Sequence, residues 1–217
     1  SINKILKVAR TIADINEKEL ITIFGDYDVD GITSTAVLYK TLKELGAAVE
    51  YYLPDRQAEG YGLHKEAVDK FINKTKLLIT VDCGIRSIDE ISYAGGYMDV
   101  IVTDHHIPGD KLPEAAAVID PKCSGCEYPD KNLAGVGVSF KLCQALWENI
   151  RNESFTKYLD IVALGTVADI VPLTGENRKI VKQGLSMIQN CGLIELLTLC
   201  NLQKDNITAG HIGFIIG

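Results

Sequence analysis

Acidic residues and histidines recur in this sequence directly after short apolar runs, the position from which α/β proteins usually present ligand-binding side chains. Three such groups follow apolar runs and a fourth follows an apolar helical segment. In chain order the groups are Asp26, Asp28 and Asp30 in GDYDVDG, Asp82 in VDCG, the triplet Asp104-His105-His106, and Asp169 in GTVADIVPL. Alternating acids in a tight turn can direct two or three carboxylates at one point, so these groups are candidate metal ligands.

Carboxylates crowded at one edge of a sheet would repel one another strongly at low dielectric. A divalent cation, or a pair of them about 3.5–4 Å apart, removes this repulsion. An imidazole added to an all-oxygen site moves its preference from Ca²⁺ or Mg²⁺ toward Mn²⁺. The residue types therefore predict a centre for divalent metal ions.

Each of these signals has a simpler interpretation when it stands alone. A D-x-D pair is often a helix cap or a turn, and adjacent histidines are more often structural than ligands. The D-x-D-x-D-G segment opens like an EF-hand calcium loop, but the twelfth position counted from Asp26 is Val37, where a bidentate Glu is required. The combination of four groups, three of them at predicted strand ends, favours the metal centre.

The elements that position these residues are apolar strands that alternate with helices. Strands are predicted at Leu20–Phe24, Val49–Leu53, Leu77–Val81, Asp99–Thr103 and Ala116–Ile119. Helices are predicted at Ile2–Ile15, Thr33–Leu45, about 64–73, Ser87–Ala94, Val136–Asn149, Thr156–Val167, Arg178–Gln189 and Ile194–Leu199. This pattern indicates an α/β fold, a parallel β-sheet with helices on both faces followed by a helical portion. We expect residues 1–135 to form the metal-binding α/β part and residues 136–217 the helical portion of the same domain.

Composition narrows the function less than the motifs do. The formal charge is −7, from 22 Lys and Arg against 29 Asp and Glu. Taken alone this charge argues against a nucleic-acid binder, but bound divalent ions would add positive charge locally. No apolar run approaches the roughly 20 residues of a membrane span, and the first residues lack a signal-peptide pattern, so we expect a cytoplasmic protein without membrane association.

Cys123 and Cys126 form a C-x-x-C pair. A structural zinc site normally needs a second pair or a nearby Cys or His partner, and none stands at a suitable spacing. Two reduced thiols in a loop are therefore the better interpretation of this pair.

Together these motifs resemble the DHH phosphoesterase superfamily, which is named for the triplet at residues 104–106. Within it, the segments GDYDVDGITSTA, PDRQAEGYGL, AVIDPK, NLAGVGVSFKL and ALGTVADIVPL resemble the RecJ branch of exonucleases specific for single-stranded DNA. The resemblance runs from near the start of the chain to its last residue. It implies two bound metal ions, Mn²⁺ or Mg²⁺.

The resemblance also assigns roles to the residues that match the family motifs. The matching metal ligands are Asp28, Asp30, Asp82, His105 and Asp169. It implies that Asp82 bridges the two ions, and that Asp26 is a further ligand or the neighbour of one. It implies catalytic roles for Asp82, for His106, which would face the scissile phosphate, and for Asp104, which would orient His105.

Two further segments are candidate substrate-binding sites. Arg56 follows a predicted strand and could bind a phosphate through its guanidinium, and the ring of Tyr61 could stack on a base. Gly135 and Gly137 open a predicted helix whose amides could hold a phosphate. The simpler interpretations are that Tyr61 packs in a turn shaped by its neighbouring glycines, and that Gly135 and Gly137 allow close helix–strand packing.

The resemblance implies a hydrolase that removes nucleotides from the 5′ end of single-stranded DNA during repair and recombination. One alternative is a phosphodiesterase of the same superfamily that acts on short oligonucleotides or cyclic dinucleotides. Another is a non-catalytic relative that binds DNA or replication proteins, which the presence of every acidic motif disfavours. The implied partners are single-stranded DNA, a single-strand-binding protein and a helicase, and the implied state is a monomer. Family members continue into a second, substrate-binding domain beyond the residues matched here, so we expect this chain to degrade DNA weakly.

Overall fold

The computed structural model of the chain describes residues 19–216. Its centre is a sheet of parallel strands. These are β1 (Leu20–Gly25), β2 (Val49–Tyr52), β3 (Thr75–Val81), β4 (Asp99–Thr103) and β5 (Ala117–Ile119). All five predicted strands are present with small shifts in their ends, whereas the helix predicted at Ile2–Ile15 lies outside the described residues.

Helices connect the first four strands, and further helices follow from residue 135 onward. Those between strands are α1 (Val29–Glu44), α2 (Lys65–Asp69) and α3 (Ile88–Gly95). Those after β5 are α4 (Gly135–Arg151), α5 (Leu159–Ala168), α6 (Gly175–Leu185), α7 (Cys191–Leu199) and α8 (Ala209–His211), with a 3₁₀ turn at Lys204–Asn206 and a π-helical turn at Ile212–Ile216. Within residues 19–216, no helix combines the length and the apolar character that crossing a membrane requires.

The strands lie in the order β2-β1-β3-β4-β5, and every neighbouring pair is parallel. The chain adds β2 on one side of β1, and then returns to add β3, β4 and β5 on the other side. At such a reversal of strand order the loops after the two adjoining strands separate, because the helices that follow them cover opposite faces of the sheet. The carboxyl ends of β1 and β3 therefore border a crevice.

Alternating side chains of the strands enter two apolar cores, one on each face of the sheet. On one face, Ile23 and Ile79 belong to a buried cluster that includes residues of α1 and α4. On the other face, Phe24 and Leu78 pack with residues of α2 and α3. A third cluster joins α5, α6 and α7. The predicted fold class, a parallel sheet covered on both faces and followed by helices, is confirmed.

Helix α1 begins earlier than predicted, and the change bears on the site. It starts at Val29 rather than Thr33, because the Asp28 carboxylate accepts a hydrogen bond of 2.8 Å from the amide of Gly31. A side-chain oxygen at this position satisfies one of the amides that the first helical turn leaves unpaired. Asp30 therefore lies inside the first turn of α1 and not in a loop.

Gly184 allows α6 to lie directly against the backbone of α5. A Cβ atom added at Gly184 would lie 2.1 Å from the carbonyl oxygen of Leu159 and 2.7 Å from the Cβ atom of Ala163. Gly184→Ala should therefore push the two helices apart and lower the free energy of unfolding by about 1–3 kcal/mol. Urea denaturation followed by circular dichroism measures this change.

Gly95→Ala is the matched control, because a Cβ atom added at the end of α3 meets no atom within 4 Å. Gly95 is exposed and its backbone needs no left-handed conformation. We expect this variant to be as stable as the parent chain, or more stable by up to about 1 kcal/mol. Equal stabilities for the two variants would contradict the close packing of α5 and α6.

Candidate metal centre

The carboxyl ends of three strands and the end of one helix bring the four predicted groups to one place. Asp26 follows β1, Asp82 follows β3 and Asp104 follows β4. Asp169 caps the carboxyl end of α5, which packs against α1. Three sets of side chains have ligand atoms within 4.8 Å of one another: Asp26, Asp28 and Asp82; Asp30, His105 and Asp169; and Asp82, His105 and His106.

The loop after β1 gives its acids different environments. Asp26 is buried, and its carboxylate accepts a hydrogen bond of 2.7 Å from the amide of Tyr27. Asp28 is exposed and caps α1 with one oxygen, which leaves the other oxygen available to a ligand. The tight turn thus aims two carboxylates at the same side of the crevice as Asp82.

Asp30 joins two distant parts of the chain. Its Oδ2 atom accepts a hydrogen bond of 2.6 Å from the amide of Gly135, and its Oδ1 atom accepts one of 2.8 Å from the amide of Val136. These are the first amides of α4, whose N-terminus carries partial positive charge that stabilises a carboxylate. Oδ2 also lies 3.7 Å from Nε2 of His105, so the oxygen that anchors α4 faces the metal centre as well.

Asp82 lies at the centre of the site in a left-handed backbone conformation, with φ of 60°. Asp adopts this conformation more readily than most residues other than glycine. Its amide donates to the carbonyl of Thr103 at 3.0 Å, which continues the pairing of β3 with β4. A Cβ atom added at Gly135 would lie 2.4 Å from Oδ1 of Asp82, so the close approach of this carboxylate to α4 requires glycine there.

His105 supplies a buried imidazole to this cluster. Its Nε2 atom lies 3.2 Å from Oδ1 of Asp82, and its Nδ1 atom lies 3.7 Å from Oδ2 of Asp169. Burial lowers the pKa of His105 to about 4, and therefore the ring is neutral at pH 7. A neutral imidazole can donate a lone pair to a metal ion.

Unpartnered buried atoms show that these residues fit a cation. Both ring nitrogens of His105 and Oδ1 of Asp82 are buried without a hydrogen-bond partner among the described residues. Leaving a buried polar atom unpaired costs about 1–3 kcal/mol. A divalent cation among these atoms would satisfy them together, and several oxygens with one imidazole are the donor set that suits Mn²⁺ or Mg²⁺.

The charges of the cluster point to the same conclusion. Burial is the largest cause that raises the pKa of Asp30, of Asp82 and of Asp169, the last to about 6. Repulsion from neighbouring carboxylates also raises the pKa of all three. A bound cation relieves both penalties, because it replaces lost hydration and neutralises the like charges.

Asp104 holds the ring of His106, and the expectation that it orients His105 is wrong. Its Oδ1 atom accepts a hydrogen bond of 2.8 Å from Nδ1 of His106 and hydrogen bonds from the backbone amides of both histidines. Of His105, the Asp104 carboxylate contacts only the backbone amide. The ring of His105 turns toward Asp82 instead. Burial opposes ionisation of Asp104, but the His106 ring and backbone amides outweigh it, so the pKa of Asp104 lies below its usual value.

The predicted substrate residues Arg56 and Tyr61 are connected to the centre through Tyr27. Tyr61 is 59% exposed, and its ring lies edge-on to Tyr27 at 6.5 Å and to His106 at 6.3 Å between ring centroids. The guanidinium of Arg56 lies 5.3 Å from the centroid of the Tyr27 ring. Sequence reasoning missed Tyr27, although its place inside GDYDVDG was an available signal. Binding of a phosphate by Arg56 and of a base by Tyr61 stays a prediction.

Gly135 and Gly137 both lie in the buried first turn of α4. The amide of Gly135 donates to Asp30, so it could hold a phosphate only by exchanging that carboxylate. A Cβ atom added at Gly137 would touch the side chain of Leu133 at 3.4 Å. Phosphate binding by these glycines stays a prediction, and close packing is the role that the contacts show.

Comparison with known proteins agrees with the motifs. Residues 20–166 match the DHH family, N-terminal domain. The single-stranded-DNA-specific exonuclease RecJ of Bacillus subtilis (strain 168) is 45% identical over 195 residues, which are 89% of this chain and 24% of that protein. A crystal structure of exonuclease RecJ bound to manganese superposes with a TM-score of 0.89 at 35% identity, covering 98% of this chain and 55% of that chain. RecJ of Thermus thermophilus in complex with Mn²⁺ gives a TM-score of 0.84 at 33% identity, covering 98% of this chain and 31% of that chain.

This chain thus spans about a quarter of the length of its Bacillus relative. The family match nevertheless covers well over half of the chain and contains the first three groups of acids and histidines. Since the sequence match and the fold agree, the chain belongs to the DHH family.

Proposed function

We propose that this chain is the metal-binding catalytic part of a phosphodiesterase that uses two divalent ions to hydrolyse single-stranded DNA from its 5′ end. The observation that carries the proposal is the buried cluster around Asp82 and His105, whose unpartnered atoms fit cations. The names of its relatives, exonucleases specific for single-stranded DNA, support the choice of substrate.

Two of the close sets of ligand atoms suggest how two ions would be held. Asp26, Asp28 and Asp82 would hold one ion, and Asp30, His105 and Asp169 would hold the other. Asp82 would serve both, because its Oδ1 atom also lies 3.2 Å from His105. Divalent ions in such a site activate a water molecule as hydroxide and neutralise the charge that develops on the phosphate.

His106 is the residue that would act on the scissile phosphate. Its hydrogen bond with Asp104 is the main cause that raises the pKa of His106, which favours the protonated ring. Asp104 holds Nδ1, so Nε2 is left to donate, and the side chain is 40% exposed beside the buried metal ligands. A protonated imidazole in this position would donate a hydrogen bond to a phosphate oxygen and stabilise its developing charge.

The proposal also covers domains and partners. Residues 1–135 would form the metal-binding part and residues 136–217 the helical portion of one catalytic domain, with Arg56 and Tyr61 contacting the DNA. A substrate-binding domain like the one implied by the family resemblance would hold the strand. We propose that the protein is monomeric and cytoplasmic. Its proposed partners are a single-strand-binding protein and a helicase.

Asp82→Asn tests the proposal directly. Removing the carboxylate that reaches both ligand sets should abolish binding of at least one Mn²⁺ ion and reduce hydrolysis by about 100-fold or more, because even supporting residues of metal sites contribute 10- to 100-fold. Calorimetric titration with Mn²⁺ and nucleotide release from 5′-labelled single-stranded DNA are the two measurements.

Asp99→Asn is the matched control, since it makes the same change in an exposed residue at the opposite end of β4. It should bind Mn²⁺ and hydrolyse DNA like the parent chain. If the parent chain binds two Mn²⁺ ions and releases no nucleotide from DNA, the proposed substrate is wrong. Short oligonucleotides and cyclic dinucleotides would then be the substrates to try.

The metal-free chain should lose stability as the pH rises. A carboxyl whose pKa is higher in the folded state binds its proton more tightly there. Its contribution to the free energy of unfolding is therefore complete below the unfolded pKa near 3.8, and it is lost as the pH rises through the folded pKa. Burial raises the pKa of both Asp120 and Asp169 to about 6, and that of Asp30 and Asp82 is raised as well. Thermal unfolding in EDTA should therefore show a midpoint that falls between about pH 4 and pH 6, because these four carboxyls outweigh His105, whose lowered pKa acts in the opposite direction.

Saturating Mn²⁺ should restore the midpoint at pH 8, because a ligand that binds the folded state stabilises it. In EDTA at the same pH, Asp82→Asn should unfold at a higher temperature than the parent chain, since one repelling charge has been removed. A midpoint in EDTA that stays constant or rises with pH would show that the buried acids do not repel one another as described.

A further inference from the structure

Lys122 lies at the same edge of the sheet as the metal centre, on the strand next to the DHH triplet. Strand β5 pairs with β4 so that Ile119 lies beside Thr103, and the amide of Asp104 donates to the carbonyl of Ile119 at 3.0 Å. Residues 121 and 122 form a turn soon after this pair, so Lys122 lies in the loop that leaves β5 next to the DHH triplet. The loop after β5 therefore carries a cation at the same edge of the sheet as the metal centre.

The backbone around Lys122 is held on both sides. The amide of Lys122 donates to Oδ1 of Asp120 at 2.7 Å, which fixes the turn after β5. The ammonium of Lys131 donates to the carbonyl of Pro121, the preceding residue, at 2.9 Å, and to the carbonyl of Cys126. A braced loop restricts the positions that the Lys122 side chain can reach.

The charge of Lys122 acts on the site residues themselves. Burial is the largest influence on the pKa of His105 and of Asp169, and the positive charge of Lys122 acts on both. The same charge acts on His106, whose pKa depends mainly on its hydrogen bond with Asp104. The charge of Lys122 thus lowers the pKa of residues from two separate elements of the site.

Lys122 is half-buried, and within residues 19–216 it forms no ion pair with a carboxylate. Four other lysines of the described chain do pair with acids, namely Lys70, Lys74, Lys141 and Lys157. In a chain of net charge −7, a cation left unpaired beside buried acids is available to an anion that enters the site.

We propose that Lys122 binds the phosphate of the substrate and positions it over the metal centre. This inference rests on the proposed function. A lysine ammonium binds phosphate as a point charge, and it would offset the negative charge of a phosphodiester approaching an acidic cluster. Because the contact forms with the bound substrate as well as with the transition state, it lowers KM more than it raises kcat.

The first test measures anion binding without catalysis. Inorganic phosphate is titrated into the Mn²⁺-loaded chain by calorimetry, using the parent, Lys122→Met, Lys122→Arg and Lys76→Met. Lys122→Met keeps the apolar stem and removes the charge, so its dissociation constant for phosphate should rise about fivefold to tenfold. Lys122→Arg should stay within about twofold of the parent, because the charge is retained.

Lys76→Met is the matched control, because Lys76 is exposed near the start of β3, at the edge of the sheet opposite the site. It should bind phosphate like the parent. Mn²⁺ affinity in Lys122→Met should be unchanged or slightly higher, since a positive charge near the ions has been removed. Weaker Mn²⁺ binding in that variant would show a structural role and overturn the proposal.

The second test measures hydrolysis of single-stranded DNA at several KCl concentrations. Lys122→Met should raise KM with a smaller effect on kcat, and the loss of one phosphate contact should reduce the slope of log affinity against log salt by about 0.7. Phosphate binding and KM equal to those of Lys76→Met would overturn the proposal, as would a parent chain that binds no phosphate. Phosphate binding that depends on Lys122 in a chain that hydrolyses no DNA would support this inference and reject the proposed function.

Discussion

Mutual repulsion among buried carboxylates is the constraint on which the arrangement of this site depends. Asp82 is nearly inaccessible to water, and the charges of Asp28, Asp30, Asp104 and Asp169 all raise its pKa, after the larger effect of burial. Hydrogen bonds within the protein offset part of this repulsion. Helix amides donate to Asp28 and Asp30, and the imidazole of His106 donates to Asp104. Oδ1 of Asp82 and both ring nitrogens of His105 have no hydrogen-bond partner within residues 19–216. These are the atoms that fit a cation. A cation bound there would offset the repulsion that the hydrogen bonds of the protein leave uncompensated.

The bond between Asp30 and the N-terminus of α4 connects this electrostatic arrangement to the packing of the whole chain. Asp30 lies in the first turn of α1, and α4 covers the same face of the sheet as α1, so a single carboxylate sets where the two helices start relative to each other. Gly135 has to lack a side chain because Asp82 lies against it. The proposed boundary near residue 135 therefore crosses direct contacts. The α/β part and the helical portion would share one catalytic site and one core.

The sequence predicted the strand-end acids because their positions follow from local rules. An apolar run followed by an acid predicts a strand and a residue at its carboxyl end, and parallel strands bring such ends together. Local rules could also have placed the start of α1, since Asp28 is a good helix cap. They could not show that Asp30 binds a helix more than a hundred residues away, or that Asp104 holds His106 instead of His105. Those contacts depend on which way side chains turn in the folded crevice, and periodicity carries no information on that.

The backbone of Asp82 shows how such a site persists in a stable fold. A left-handed conformation at a residue other than glycine costs about 1–3 kcal/mol, and it is kept only where the surrounding structure leaves no alternative. Here the amide of Asp82 is bound to Thr103, the strand before it is buried on both faces, and α4 closes over the side chain. Relaxing the turn would break β-sheet pairing and open the core, which costs more than the strain. The apolar burial of β3 therefore stabilises a carboxylate in a position that neither its backbone preference nor its charge favours, and the proposed hydrolysis would require this preorganisation.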